Sequence, residues 1–230
     1  MRLAVIPARG GSKRVPRKNV RDFCGRPMIA WSISAARESG AFDRIVVSTD
    51  DDEIAETARA LGAEVPFCRP AELSGDHTPT RPVVSHAIRA LASQGSEAAE
   101  VCCIYATAPF LEANDIVAGL RILRERPCRY VFPVTSFAFP IERALRMSED
   151  GALRMVDAAT AMTRSQDLAE AFHDAGQFYW AAADQWHKDE PILGAGACGL
   201  RVPRTRVQDI DTEEDWAVAE SMFKAMRLRQ

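Results

Sequence analysis

The chain has 230 residues, 47% of them apolar, and a formal net charge of −3. That length suits one α/β domain with an elaboration, and that apolar fraction lies well away from a disordered composition. A mildly acidic balance excludes a surface that attracts nucleic acid or anionic lipid as a whole, so a cation-rich site has to be local.

The opening run MRLAVIPARG is too short for a signal-peptide core or a membrane span and breaks at Pro7, and no other stretch reaches membrane length. The expectation is a cytoplasmic protein with no membrane partner. Of the six cysteines, Cys102 and Cys103 are adjacent and none forms a CxxC pair. The spacing supports neither a disulfide scaffold nor a zinc site, and reduced thiols are expected.

Leu3–Ile6 is a continuous apolar run that suits a strand buried on both faces. A glycine-rich loop follows, and then a helix with Pro27 just inside it and Met28, Ile29, Ile33 and Ala36 on one face. Arg44–Thr49 reads as a strand, and Asp50 or Asp51 caps a helix whose apolar face is Ile54, Ala55, Ala58 and Leu61. Glu64–Phe67 reads as a third short strand. Val83, Val84, Ala87, Ile88 and Leu91 mark a helix, Val101–Tyr105 a strand, Ile116, Val117, Leu120 and Leu123 a helix, and Arg129–Thr135 a strand. This alternation predicts an α/β fold with a doubly wound, mostly parallel sheet of Rossmann-like type.

The rhythm changes after about Phe137. Residues 142–157 read as a hairpin turning at Glu149-Asp150-Gly151, and residues 158–175 as polar and irregular. We read 137–175 as an insertion in a single domain spanning 1–230, either a dimerisation arm or a substrate lid. Gly176–Trp180 returns to strand. A last helix opens at Thr212 with a capping-box spacing to Asp215, and carries the stripe Trp216, Ala219, Phe223 and Met226.

The loop PARGGSKRVPRKN, Pro7–Asn19, leaves the first strand at its carboxyl end, where open α/β sheets bind ligands. It holds Arg9, Lys13, Arg14, Arg17 and Lys18 with no acid before Asp22. Gly10 and Gly11 let the backbone approach a ligand, and Ser12 adds a hydroxyl. Flexible glycines, bare amides and clustered cations are what a polyphosphate needs. This loop contains neither GxxxxGK[ST] nor GxGxxG. The bland alternative is a basic surface turn or nucleic-acid patch.

The run IPARGGSKRVPRKN resembles the N-terminal signature ARxxSKxxPxKN of the CMP-sialic acid synthetases, with Arg9, Ser12, Lys13, Pro16, Lys18 and Asn19 matching. The resemblance implies that the loop from Ala8 to Asn19 binds the CTP triphosphate and part of the nucleoside. Arg9 and Lys13 then hold phosphates and stabilise the leaving group. Arg69, in an RPxEL segment, and Thr80 are implied to contact the nucleotide.

Asp209 and Asp211 lie in VQDIDTEEDW. If Val207–Asp211 is extended, both carboxylates face one side and Ile210 faces the core. Paired carboxylates with phosphate oxygens form an Mg²⁺ environment, and Mg²⁺ is the expected cofactor. The bland reading is acids at a helix start, which explains Glu213 and Asp215 better. The same family carries an IDIDT-like segment whose two aspartates bind the metal.

On the acceptor side the resemblance implies sugar contacts at Tyr105, Arg164, Gln166, His173 and Gln177. A guanidinium such as Arg164 suits a sugar carboxylate. Tyr105-Ala106-Thr107-Ala108-Pro109 departs from the family's QPTSP-like segment, and DAGQFYW departs from PNGAIY. Both changes alter the acceptor side and spare the nucleotide side. Together with TSFAFPI and TRSQDL they resemble the branch acting on pseudaminic acid, a diacetamido, deoxy nonulosonic acid whose CMP derivative serves surface glycan or flagellin glycosylation. The implied partners are CTP, a nine-carbon acidic sugar and a second copy of the chain. Rivals are the same reaction on N-acetylneuraminic or legionaminic acid, a nucleotide-sugar oxidoreductase, and a nucleic-acid-binding module. The lack of GxGxxG in the loop after the first strand disfavours the oxidoreductase, and the net charge disfavours the nucleic-acid module.

Overall fold

A computed structural model of the chain describes residues 1–228. The strands are β1 (Arg2–Pro7), β2 (Asp22–Phe23), β3 (Arg26–Pro27), β4 (Arg44–Ser48), β5 (Glu100–Ile104), β6 (Tyr130–Ser136), β7 (Leu145–Met147), β8 (Leu153–Met155), β9 (Phe172–Asp174), β10 (Phe178–Ala182) and β11 (Ala197–Arg201). The helices are α1 (Met28–Glu38), α2 (Asp52–Ala60), α3 (Thr80–Ala92), α4 (Ala113–Glu125) and α5 (Glu213–Arg227).

Leu3, Val5 and Ile6 are wholly buried because β1 lies inside the sheet, flanked in parallel by β4 and β5 with Ala4 opposite Ile45 and Cys102. The full order is β11-β6-β10-β5-β1-β4, with β9 pairing β6. Strands β4, β1, β5, β6 and β11 run one way, while β10 lies antiparallel between β5 and β6. The sheet is therefore mainly parallel, as expected, with an antiparallel wedge that periodicity did not reveal. Apolar side chains from α1, α2 and α4 pack on one face and those of α3 on the other. A glycine is required at 119. A Cβ there would lie 2.7 Å from the Phe178 ring and 3.0 Å from Trp180, so α4 seats directly on β10.

Local signals mostly hold. Asp51, not Asp50, caps α2 by accepting from the Ile54 N–H at 3.0 Å. Thr212 and Asp215 close a reciprocal capping box at the start of α5. Pro27 is the residue before α1, with an extended ψ of 138°, so the helix begins one residue later than expected. The hairpin β7–β8 forms with Arg146 opposite Arg154 and a turn at Gly151.

Three expectations need correction. Glu64–Phe67 is not a full strand: only Glu64 bridges to Val46, because Pro66 offers no N–H to continue the ladder. Ala197–Arg201 is a strand that sequence reading missed. The cysteines are not all thiols: Cys128 and Cys198 form a disulfide, their Cα atoms 5.8 Å apart. They stand side by side because β11 pairs in parallel with β6, across a sequence separation of 70 that no spacing rule reads. Cys102 and Cys103 are buried and free, and burial pushes both thiols upward in pKa.

Candidate active site

A cleft of about 540 Å³ opens beyond the carboxyl ends of β1 and β5. Arg9, Ser12, Lys13, Asn19, Arg69, Thr80, Tyr105 and Asp211 all line it. Pro7–Asn19 therefore meets the last-helix segment and the start of α3 in one place.

The loop is held by its own backbone and by acids on the next β–α connection. Buried Asn19 donates from Nδ2 to the Arg9 carbonyl at 2.9 Å. The Gly10 N–H donates to Asp50 Oδ1 at 3.1 Å, and a Cβ on Gly10 would sit 2.5 Å from the Asp51 carboxylate. Gly10 is therefore required by Asp51, whereas a Cβ on Gly11 would meet nothing within 4 Å. Ala8 is buried, and its N–H donates to the Ser48 carbonyl at 2.9 Å, so it contributes no side chain to the cleft. Arg17 adopts φ 55° and turns away to Asp51 (2.6 Å) and Glu53. Its cation is thereby removed from the ligand-facing set, and it stores local backbone strain.

The remaining cations are engaged by two carboxylates. Asp76 binds Arg9 and also Lys13 at 2.6 Å, and these cations, Lys13 foremost, hold its carboxyl down to about 2. Asp211 accepts from Arg14 at 2.8 Å and lies 3.4 Å from Lys18. Arg69 is buried, bonded to Ser48, and burial brings its guanidinium down to about 10, still charged at neutral pH. Asp76 was not anticipated; nothing around it in SGDHTPT marks it, and it reaches Arg9 across 67 residues.

Asp211 lines the cleft and Ile210 is buried, whereas Asp209 is exposed and is not part of the cleft lining. The Asp209 carboxyl is pushed above its ordinary range, first by the protein packed around it and then by repulsion from Asp211. Among the described residues no group of three or more His, Cys, Asp or Glu side chains forms a ready cation cage. Two mutually repelling carboxylates beside a phosphate-sized cleft nevertheless fit Mg²⁺, which binds through one or two carboxylates and takes its other ligands from phosphate and water.

A second cavity, about 560 Å³, adjoins the first and shares Thr80 and Tyr105 with it. Thr80 Oγ1 and the Tyr105 hydroxyl are 3.0 Å apart. Its other lining includes Asp174, Tyr179, Ile192 and Leu193, none of which sequence reading singled out. Of the expected acceptor contacts, Tyr105 stands here. Gln177 is buried and its Nε2 donates to the Arg206 carbonyl at 2.7 Å, while its main-chain carbonyl accepts the Tyr105 N–H at 2.8 Å. It thus positions Tyr105 from behind. His173 packs edge-on against Phe137, and Arg164 and Gln166 lie on the exposed arm, lining neither cavity.

The cytidylyltransferase family profile matches residues 3–194. The chain belongs to the cytidylyltransferase family. It is 42% identical over 222 residues to the pseudaminic acid cytidylyltransferase of Campylobacter jejuni subsp. jejuni serotype O:23/36 (strain 81-176), covering 96% of both chains. It is 33% identical over 220 residues to N-acylneuraminate cytidylyltransferase B of Danio rerio, covering 95% of this chain and 50% of that one. Among solved structures, CMP:2-keto-3-deoxy-manno-octonic acid synthetase complexed with CTP superposes with a TM-score of 0.70 at 17% identity, covering 98% of this chain and 99% of that one. At that identity the likeness speaks for the fold alone. This cytidylyltransferase is a nucleotidyltransferase enzyme, and no helix among its described residues is long and apolar enough to cross a membrane.

Proposed function

We propose that the chain transfers CMP from CTP to the anomeric hydroxyl of a nonulosonic acid, pseudaminic acid, releasing pyrophosphate. One observation carries this reading: a cation-lined cleft and a tyrosine-walled cavity meet at the Thr80–Tyr105 contact, so a nucleotide and a second substrate can lie end to end. The relative from Campylobacter jejuni, similar over nearly its whole length, supports the choice of acid.

In this reading the triphosphate exchanges places with Asp76 on Arg9 and Lys13, while Ser12 and Arg69 complete the nucleotide contacts. The acceptor hydroxyl oxygen attacks the α-phosphorus and gives up its proton to water, the bond to the bridging oxygen breaks to release pyrophosphate, and Arg9 and Lys13 take up the charge that collects there. Asp209 and Asp211 are the ligands we assign to Mg²⁺, which when bound neutralises phosphate charge and polarises the α-phosphorus. Lys18, donating to the Ile210 carbonyl at 2.6 Å, fixes the backbone between these two acids.

We also infer a homodimer, with the arm of one copy reaching the acceptor cavity of the other. Phe139 (79% exposed), Met147 (73%) and Met162 (96%) leave a broad apolar surface on the arm, which a second copy would cover. Arg164 on that arm, outside its own cleft, then meets the acceptor carboxylate of the partner site. The setting we infer is cytoplasmic, where CTP is available.

Pyrophosphate release from CTP tests the reading, run against a panel of nonulosonic acids with and without Mg²⁺. Turnover with pseudaminic acid that needs the metal is expected. Preferred turnover of N-acetylneuraminic acid would reassign the acceptor, and no release with any acid would end the proposal.

A further inference from the structure

The second cavity contains a carboxylate that the reaction as described does not use. Asp174 ends β9 opposite Val134 and is half-buried. Its Oδ2 accepts the Tyr179 hydroxyl at 2.5 Å, and its Oδ1 accepts the Gly176 N–H at 3.0 Å. A carboxylate has about four lone-pair sites, so about half of its accepting capacity is still open toward the cavity. Among the described residues no cation pairs with it. Arg81, the one guanidinium on this wall, is taken by the Lys188 carbonyl and Asp189.

The hydroxyls next to Asp174 cannot ionise near neutral pH. Burial first, then the neighbouring Tyr105 and Asp174, drive the Tyr179 phenol far above its ordinary range, and burial raises Tyr105 as well. Tyr179 therefore stays a donor to Asp174, and the remaining lone pairs of Asp174 are left for whatever enters. The same lining carries the apolar Pro191, Ile192 and Leu193 next to the charged Arg81, Asp189 and Glu190. An acceptor sharing a cavity with an apolar stretch matches a secondary amide: its N–H meets the carboxylate and its acyl methyl meets Ile192 and Leu193. A hydroxyl-bearing tail could satisfy the carboxylate but would strand its other oxygens against Ile192 and Leu193.

Resting on the acceptor assignment proposed above, we infer that Asp174 is a specificity-determining residue. It accepts a hydrogen bond from an acetamido N–H of the acid sugar, while Ile192 and Leu193 receive the acetamido methyl. This couples acceptor choice to the nucleotide site through Tyr179, Tyr105 and Thr80 without any of them touching the reacting phosphorus.

The test is steady-state kinetics of the full chain with pseudaminic acid and N-acetylneuraminic acid, comparing wild type, Asp174→Asn and Leu193→Asn. Asp174→Asn should raise KM for pseudaminic acid about tenfold or more, the scale of one hydrogen bond to a charged group, and leave KM for CTP within about twofold. Leu193 is 56% exposed, so Leu193→Asn leaves the fold intact; it should narrow the preference between the two acids. An unchanged acid KM in Asp174→Asn overturns the inference while sparing the proposed function. Equal losses for CTP and acid also overturn it, because they mark a merely structural residue. Failure of the wild type to use any nonulosonic acid ends both.

Discussion

Lys18 and Asp211 lie 193 residues apart in the chain and meet at 3.4 Å, with the same ammonium donating to the Ile210 carbonyl. One lysine thus joins the phosphate loop to the acidic pair. The cations expected to meet the triphosphate and the carboxylates expected to meet the metal form one electrostatic unit.

Asp211 is the acid that faces the cleft. Asp211→Ala should lower kcat/KM at least about a hundredfold, the scale of losing one preorganised electrostatic group. The fold should survive, because the Thr212–Asp215 box still caps α5. Near-normal pyrophosphate release from a folded variant would refute the metal assignment.

Lys13 has a side chain 80% exposed, and its one ion pair among the described residues is with Asp76. It is therefore free to turn to a phosphate. Lys13→Ala should reduce the rate by roughly 10²–10³ with no change in melting temperature. A loss of tenfold or less would make it peripheral.

Asp76 competes with the triphosphate for Arg9 and Lys13. Asp76→Asn releases both cations in the free enzyme. KM for CTP should fall by up to about fivefold, since an exposed ion pair is worth at most about 1 kcal/mol. A rise in KM would instead mean that Asp76 contributes to the bound state.

Asp43 anchors the start of β1 by accepting from the Arg2 N–H at 2.6 Å and from its guanidinium at 2.8 Å. These bonds lower its carboxyl from 3.8 to about 2. A depressed folded-state value stabilises fully above 3.8, and the contribution is lost as pH falls through about 2. Urea midpoints measured at pH 5 and pH 2.5 should drop less in Asp43→Asn than in wild type. Identical drops would show that the pair carries no acid-linked stability.

The Cys128–Cys198 bridge closes a long loop at the sheet edge. Cys198→Ser under oxidising conditions should cost about 2–4 kcal/mol, or roughly 4–16 °C in melting temperature. Dithiothreitol should produce a similar shift in wild type and none in the variant. An unshifted wild type would mean the two sulfurs are thiols in solution.

Much of the nucleotide side was legible because its residues are contiguous. Arg9, Ser12, Lys13 and Asn19 sit in one thirteen-residue loop whose glycines and cations announce a phosphate, and they do line one cleft. Which cations face the ligand was not legible. Arg17 belongs to the same run but is drawn off by Asp51 and Glu53, an outcome set by where α2 begins in space. The proposed acceptor side was least legible, since Asp174, Tyr179 and Leu193 come from separate segments and meet only by lining one cavity.

The sequence by itself determined the strand–loop–helix alternation, a cap at Asp50 or Asp51 and one at Thr212, the turn at Gly151 and the basic loop, because each depends on neighbours a few residues away. Tertiary structure decided that β10 runs antiparallel between β5 and β6, that β11 extends the sheet, that Cys128 meets Cys198, and that Asp76 meets Arg9 and Lys13. Backbone ladders use the same N–H and C=O groups in either strand direction, so side-chain periodicity carries no record of direction. Ion pairs across the cleft form only once distant strands have fixed the distance between them. Lys18 and Asp211 could each be suspected from their own motifs, and only the folded sheet makes them neighbours.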